Sequence, residues 1–396
     1  MNDNITPDER QAEISMLNHE IFELNKLLEE DEAERRKSLM LDENDPFDNP
    51  TEYHDYNGSY SDIVPQIKMP GCKIPVEPSA GEKKRLRRFY GTGGACIFFH
   101  FVLTNLLSLA GVKLVMMILQ HLNPDVSYYS LYSYAYSSAL LVSVSAVTFL
   151  IANVLFTYIG LKFTKLGSSS LIGTHGFSVG KAIQYCLCGI FIQYAASMLS
   201  TVTEDVFNKY GHTTIVDDSD FATTATGVAV LIIYQCIIAP ITEEMFYRGM
   251  VLKVFSRANQ RFAIVASALF FGLAHGNLPQ FFFAFLLGMF LAHIDIKHNS
   301  ILPSVIVHIF VNSIAMIINH FSETGSTYTI IWVSFAYMFL AAIGLVALIF
   351  FSKKNMLPRT TPQQSRRGFA VAKKTFTVAA AFILLAISMI IETFSL

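Results

Sequence analysis

The sequence predicts an all-α, polytopic bundle of about eight to nine transmembrane helices, preceded by a cytoplasmic, helical or disordered N-terminal arm. Three observations support this prediction. Of the 396 residues, 52% are hydrophobic and only 15% are charged, whereas ordinary soluble domains carry about 25% charged residues. The apolar residues form long runs, several of which could cross a hydrocarbon layer of about 30 Å. The basic residues are distributed very unevenly between these runs.

The first 90 residues are more polar than the rest of the chain. Within residues 1–37, apolar positions alternate at spacings of three and four, which predicts an amphipathic helix or a short coiled coil. This helix could support self-association or partner docking through residues 14–28. Residues 38–90 form a predicted disordered linker, and its basic run at 83–88 is typical of a cytoplasmic anchor on anionic lipid. The apolar positions of the arm helix are Ile14, Leu17, Ile21, Leu24 and Leu28.

The predicted transmembrane bundle, residues 91–396, contains nine apolar segments, of which the fifth to the seventh are short. If the N-terminus is cytoplasmic and the segments alternate, the inner connections hold nineteen basic residues and the outer ones only Lys209. The positive-inside rule requires such an asymmetry. An even number of spans would need one short segment to be re-entrant. The segments lie near 94–119, 136–160, 181–203, 225–250, 262–276, 279–296, 301–320, 328–352 and 374–395.

The fourth segment carries an acidic pair and an arginine inside an apolar run, where charged residues are functional candidates by default. Glu243 and Glu244 point about 100° apart on a helix, so they cannot share one task. Glu244 and Arg248 are four residues apart and can pair. This leaves Glu243 on another face, suited to general-base work. Pro240, one turn earlier, can kink the helix.

Two further segments carry polar groups at helical spacing. Phe271 and His275 lie four residues apart on one predicted helix, and His308 and Asn312 do the same on another. The Asn312 amide can donate hydrogen bonds, as an oxyanion stabiliser must. Four other histidines lack a polar partner at such spacing and receive no role: His100, His293, His298 and His320.

Glu243, His275 and His308 are predicted to lie at similar depth in the membrane. They are 14, 14 and 11 residues from basic residues of the predicted inner connections. A helix of that length places them about 16–20 Å from the cytoplasmic surface. Convergence at one depth favours a shared site over three unrelated structural histidines and carboxylates. The basic residues used as markers are, in the same order, Arg257, Arg261 and Lys297.

The order of these motifs resembles that of the CPBP family, which includes type II CAAX prenyl proteases and bacterial abortive-infection-like and bacteriocin-immunity proteins. The motifs are Glu-Glu-x-x-x-Arg at 243–248, Phe-x-x-x-His at 271–275 and His-x-x-x-Asn at 308–312. The resemblance covers a peptidase-like core at about residues 180–320. It implies a glutamic intramembrane endopeptidase in an all-α bundle.

The resemblance also implies a role for each matched residue. Glu243 and His275 would activate a water molecule, while His308 and Asn312 would stabilise the oxyanion. Glu244 and Arg248 would support the site. The expected substrate is a membrane-associated peptide or protein, with a prenylated C-terminal peptide as the eukaryotic option, and no nucleic acid is expected. No organelle address is evident, which favours a bacterial plasma membrane.

Three alternatives remain open at this stage. No cofactor is expected, but zinc held by Glu243, His275 and His308 is a rival, because two histidines and a carboxylate form a competent catalytic zinc set. A catalytically silent scaffold or immunity protein would instead bind a partner without chemistry. A transporter would also place ionisable groups at mid-depth, but the chain lacks the paired interrupted segments typical of transporters.

Overall fold

The computed structural model describes residues 11, 14–24, 26, 80–166, 171, 177–213, 221–257, 260–354 and 369–395. The regular elements within these ranges are all helical, which confirms the predicted all-α class. Residues 14–24 are helical, and the apolar side chains at four of the five predicted arm positions are exposed. Leu28 and the predicted linker from residue 38 to 79 lie outside the described residues.

Within the described part of the chain, ten helical elements of at least ten residues follow from residue 80, and one of them changes its helix type along its length. We number them in chain order. Elements α1 to α4 are Ala80–Leu122, Tyr128–Ser137, Ala139–Thr164 and Val179–Lys209. Element α5 runs through Ala225–Ile233, Tyr234–Ile238, Ala239–Glu244, Met245–Leu252 and Lys253–Ser256. Elements α6 to α10 are Gln260–Leu273, Leu278–His298, Leu302–Thr324, Thr327–Lys354 and Phe376–Ser395.

Eight of these elements are long and apolar enough to cross a membrane, so the chain is an integral, multi-pass membrane protein. The exceptions are α2 and α6. Helix α6 corresponds to the fifth apolar segment but has only 14 residues, which is about 21 Å and less than a hydrocarbon layer of about 30 Å. Helix α1 begins at Ala80, so the predicted linker boundary at residue 90 falls within a helix.

Element α5 is not a uniform α-helix, because two of its parts, Tyr234–Ile238 and Met245–Leu252, are π-helical. The amide of Ala239 bonds to the carbonyl of Tyr234, five residues back. The next residue, Pro240, has no N–H with which to continue either hydrogen-bond pattern. A short α-helical stretch, Ala239–Glu244, therefore stands between two wide π-helical turns, which occur frequently at functional sites.

Small residues allow α1 and α3 to approach α5 closely. A Cβ atom added at Gly160 of α3 would lie 2.5 Å from Met250, and one added at Gly93 of α1 would lie 3.1 Å from Val254. Small residues at helix contacts are typical of membrane bundles, where close backbone approach increases packing. These contacts surround the C-terminal half of α5 with apolar side chains.

Arg257 follows the end of α5 and differs from its predicted role as a surface marker. Its side chain is only 2% exposed, and its Nη2 donates to the carbonyl of Thr164 at 3.0 Å. Thr164 closes α3, where unpaired carbonyls and the helix dipole attract a cation. The Phe89 ring covers the guanidinium at 3.6 Å. Arg257 therefore joins the ends of two helices instead of extending into solvent.

Gly344 lies at a close approach between α9 and α4. An added Cβ would overlap the carbonyl oxygen of Leu187 and lie 3.0 Å from Phe191. We expect Gly344→Ala to lower the free energy of unfolding by about 1–3 kcal/mol, as overpacking does. Thermal unfolding in detergent measures this. Gly180→Ala in the first turn of α4, where nothing lies within 4 Å of the added Cβ, is the control. Equal melting temperatures for both variants would contradict the predicted contact.

Candidate active site

The centre of the site is a buried cluster in which Glu244 contacts both a guanidinium and an imidazole. Its Oε1 lies 3.1 Å from Arg248 Nη1 and 2.8 Å from His308 Nδ1. Glu244 and Arg248 are completely buried, and His308 is 3% exposed. Because a carboxylate only accepts hydrogen bonds, His308 donates from Nδ1. The i,i+4 pairing predicted from the sequence is present, and Glu244 also binds α8 through His308.

The surroundings of Arg248 leave its guanidinium little freedom to move. Phe271 of α6 covers it, with 4.2 Å between the guanidinium carbon and the ring centroid. Gly288 of α7 lies beside it, since an added Cβ there would be 3.1 Å from Nη2. Its three nitrogens have no partner with hydrogen-bond geometry. The Coulombic contact with Glu244 and the cation–π contact with Phe271 therefore compensate its charge.

The Phe271 ring also connects the two candidate histidines. His275 packs edge-on against it at 4.8 Å between ring centroids, and His308 does so at 5.9 Å. Tyr247 contacts the same ring at 5.0 Å. Phe271 therefore orders the arginine and both imidazoles, which explains why an aromatic residue precedes His275 by four positions.

The sequence predicts His275 on the same helix as Phe271, but the structure places it just beyond the end of α6. The helix ends at Leu273, and Gly276 adopts a positive φ of 79°, a conformation that favours glycine. His275 Nδ1 is nevertheless 2.8 Å from the carbonyl oxygen of Phe271. A carbonyl only accepts, so Nδ1 carries the hydrogen and Nε2 presents its lone pair in the neutral ring.

Glu243 occupies a different environment from Glu244. Its side chain is 16% exposed, and its Oε2 lies 3.9 Å from His308 Nε2. It also lies near enough to His275 for their charges to interact. The two adjacent glutamates thus approach different nitrogens of one imidazole. Of the two, only Glu243 is partly exposed.

Asn312 lies one turn beyond His308 and contacts the irregular part of α5. Its Nδ2 donates to the backbone carbonyl of Gln235 at 2.9 Å. In a π-helical pattern that carbonyl would accept from residue 240, which is a proline without an N–H. Asn312 therefore satisfies a carbonyl that Pro240 leaves unpaired, and the second hydrogen of its amide remains available.

Sequence reasoning missed Asp295, which is 2% exposed near the end of α7. Its Oδ1 accepts the backbone N–H of Ser304 at 3.1 Å, at the start of the helix that carries His308. Its Oδ2 has no hydrogen-bond partner, and it lies near enough to Glu244 and Arg248 for electrostatic interaction. A lone acidic residue inside an apolar segment was the available signal.

Two histidines that received no role from the sequence have polar partners on other helices. His298 Nε2 lies 2.9 Å from the hydroxyl of Tyr185, and His100 Nε2 lies 2.8 Å from Asn153 Oδ1. These partners are distant in the sequence, so helical spacing could not reveal them.

In the part of the chain that the structure describes, no group of three His, Cys, Asp or Glu side chains is arranged to hold a metal ion. Glu243, His275 and His308 do not fit zinc as they stand. The absence of a cofactor stays a prediction.

Residues 225–314, from the start of α5 into α8, match the family model described as Type II CAAX prenyl endopeptidase Rce1-like. This range contains all six predicted site residues. The match confirms the resemblance to the CPBP family, and this part of the membrane protein is similar to type II CAAX prenyl endopeptidases. No curated protein and no solved structure matches the chain significantly.

The two glutamates should differ in their effect on stability. Glu244→Gln removes the charge that compensates buried Arg248, and we expect it to lower the free energy of unfolding by about 3–5 kcal/mol. Glu243→Gln changes a partly exposed group and should cost less than about 1 kcal/mol. Thermal unfolding in detergent compares them. Equal losses would contradict the division between a buried and an accessible glutamate.

Proposed function

We propose that the protein is an intramembrane endopeptidase of the glutamic type, which hydrolyses peptide bonds of a membrane-associated protein or peptide. The supporting observation is that Glu243, the partly exposed glutamate, lies beside two imidazoles that are each held through Nδ1. His275 is an acceptor at Nε2, because its Nδ1 donates to Phe271. His308 is a donor at Nδ1, where it meets Glu244. Hydrolysis needs acceptors for the water and donors for the oxyanion.

Glu243 and His275 would hold the nucleophilic water. Both present acceptors, so they can take its two hydrogens and leave an oxygen lone pair directed at the scissile carbonyl. Glu243 then removes a proton as general base, and the oxygen forms the new bond to carbon. The same proton is available to the leaving amine when the peptide bond breaks. The 16% exposure of Glu243 supports this role, since a water must reach it.

His308 and Asn312 would stabilise the oxyanion. His308 would donate to the oxyanion from Nε2, which requires a hydrogen on both ring nitrogens, since Nδ1 already donates to Glu244 at 2.8 Å. Asn312 would contribute the amide hydrogen that is not bound to Gln235. Glu244 would thus be the hydrogen-bond partner of His308 as well as the counter-ion of Arg248.

We also propose that the N-terminus is cytoplasmic, in a bacterial plasma membrane. Basic residues from separate helices meet at one end of the bundle. Lys181 and Lys297 lie close enough for their charges to interact, and Arg257 reaches Thr164 beside Lys165. Helices α6 and α7 pack together across a short connection, so this hairpin can enter and leave on one side. That arrangement preserves the positive-inside pattern with a short α6.

Glu243→Gln should lower kcat by about 10²- to 10⁴-fold, because the general base is lost, while the protein remains folded. The assay uses the full chain in liposomes with a quenched fluorescent peptide that ends in a farnesylated CAAX sequence. An unprenylated peptide of the same sequence tests whether the lipid is required. Wild-type turnover by Glu243→Gln would exclude the mechanism. If the protein binds a partner without cleaving it, and Glu243→Gln leaves this binding unchanged, the scaffold alternative would be favoured.

His308→Gln should lower kcat by about 10²- to 10³-fold, the typical effect of removing an oxyanion donor. His320→Gln provides a matched control, because His320 is exposed on the same helix α8 and should leave turnover unchanged. Equal losses in both variants would indicate damage to α8 and not to the site.

Cleavage should persist in the presence of 1,10-phenanthroline, because the proposed step uses only Glu243, His275, His308 and Asn312. The measurement is turnover of the same peptide after incubation with the chelator and removal of bound metal. Loss of activity that added zinc restores would replace the glutamic mechanism with the metal-dependent one.

A further inference from the structure

A hydrogen-bond network of buried side chains links three helices and ends beside Glu243. His100 of α1 is 2.8 Å from Asn153 Oδ1 of α3. Asn153 Nδ2 donates to Thr242 Oγ1 of α5 at 3.0 Å. Thr242 Oγ1 lies 2.9 Å from the carbonyl oxygen of Ile238. Thr242 immediately precedes Glu243, yet none of these side chains belongs to the family motifs.

The donor and acceptor of each hydrogen bond in this network can be assigned in only one way. The carbonyl of Ile238 only accepts, so the Thr242 hydroxyl donates to it and accepts from Asn153. The amide oxygen of Asn153 only accepts, so His100 carries its hydrogen on Nε2. The stacked ring of Phe246 lies 4.5 Å from that of His100 between centroids, which limits rotation of the imidazole. Each donor of the network therefore meets an acceptor.

The side chains of this network are buried, and the burial of so many polar groups needs an explanation. His100, Asn153 and Thr242 are 6%, 1% and 4% exposed. Apolar residues at these positions would be simpler to accommodate in a membrane bundle, since every buried polar group must be satisfied. A fully satisfied polar network instead selects one arrangement of the helices that contain it.

The position of Thr242 shows which part of the structure this network holds in one arrangement. It lies in the short α-helical stretch Ala239–Glu244, between the two π-helical parts of α5. Wide turns and a proline on one side make the rotation of this stretch about its axis poorly determined by α5 alone. Asn312 holds the preceding turn from α8. The bond from Asn153 holds Thr242 from α3.

We propose that His100, Asn153 and Thr242 are positioning residues that fix the rotation of Ala239–Glu244 and so aim Glu243 at its water. They act through the backbone of α5 and do not touch the substrate. The inference rests on the proposed proteolytic role of Glu243 for its kinetic test. A misplacement of about 1 Å can cost about 10²-fold in rate, so a small rotation is sufficient to reduce turnover.

The decisive comparison is Thr242→Val against Thr242→Ser. Valine removes the hydroxyl with little change in shape, whereas serine keeps it. Thr157→Val is the matched control, because Thr157 is equally buried on α3 but its hydroxyl bonds only to its own helix, at the Asn153 carbonyl. Cleavage of the farnesylated peptide is measured in liposomes. Thr242→Ala replaces Thr242→Val if the valine variant does not fold.

We expect Thr242→Val to lower kcat by about 10- to 100-fold with less than about a threefold change in KM. Thr242→Ser and Thr157→Val should stay within about threefold of wild type in kcat. This pattern separates positioning from general loss of packing, which would affect the Thr157 variant as well. Wild-type kcat in Thr242→Val, or equal losses in all three variants, would overturn the proposal.

Amide hydrogen exchange tests the same restraint without any proteolysis. In Thr242→Val, amides of residues 239–246 should exchange about tenfold faster than in wild type, because a buried hydrogen bond to α3 is gone. Thr157→Val should leave that segment unchanged. If the wild-type chain cleaves no peptide, the proposed function fails but this measurement still decides the restraint. Unchanged exchange in Thr242→Val would refute it.

Discussion

The buried charge of Arg248 is the constraint on which the rest of the site depends. A guanidinium inside a membrane bundle is tolerated only beside an opposite charge and a polarisable surface. Glu244 supplies the charge at 3.1 Å, and Phe271 supplies the aromatic face at 4.2 Å. Glycine at 288 leaves room for the group. Because Glu244 and Phe271 also contact His308, the requirements of one buried cation organise three helices around the imidazole.

The irregular backbone of α5 creates a second requirement. Pro240 interrupts the hydrogen-bond ladder between two π-helical parts, and the carbonyl of Gln235 then needs a donor from elsewhere. Asn312 provides it at 2.9 Å. The cost of an unpaired carbonyl in a membrane thus holds α8 against α5 at the level of the site. The bond from Asn153 to Thr242 does the same from α3.

Sequence reasoning predicted what depends on local spacing. The helical class, the span map and the Glu244–Arg248 contact all follow from apolar runs or from the i,i+4 relation. It did not predict that α6 ends at Leu273, because the apolar run continues through Ala274 and the positive φ of Gly276 appears only in the folded backbone. The partners of His100 and the burial of Asp295 involve residues on other helices, which no single segment reveals.

The adjacency of the two glutamates has a geometric reason. Nδ1 and Nε2 lie on different edges of one imidazole, so two carboxylates must approach His308 from different directions. Consecutive helical residues diverge by about 100°, and Glu244 and Glu243 meet the two nitrogens at 2.8 and 3.9 Å. The longer distance belongs to the accessible carboxylate and leaves it free to exchange partners. One glutamate can therefore remain a fixed countercharge while its neighbour stays available for proton transfer.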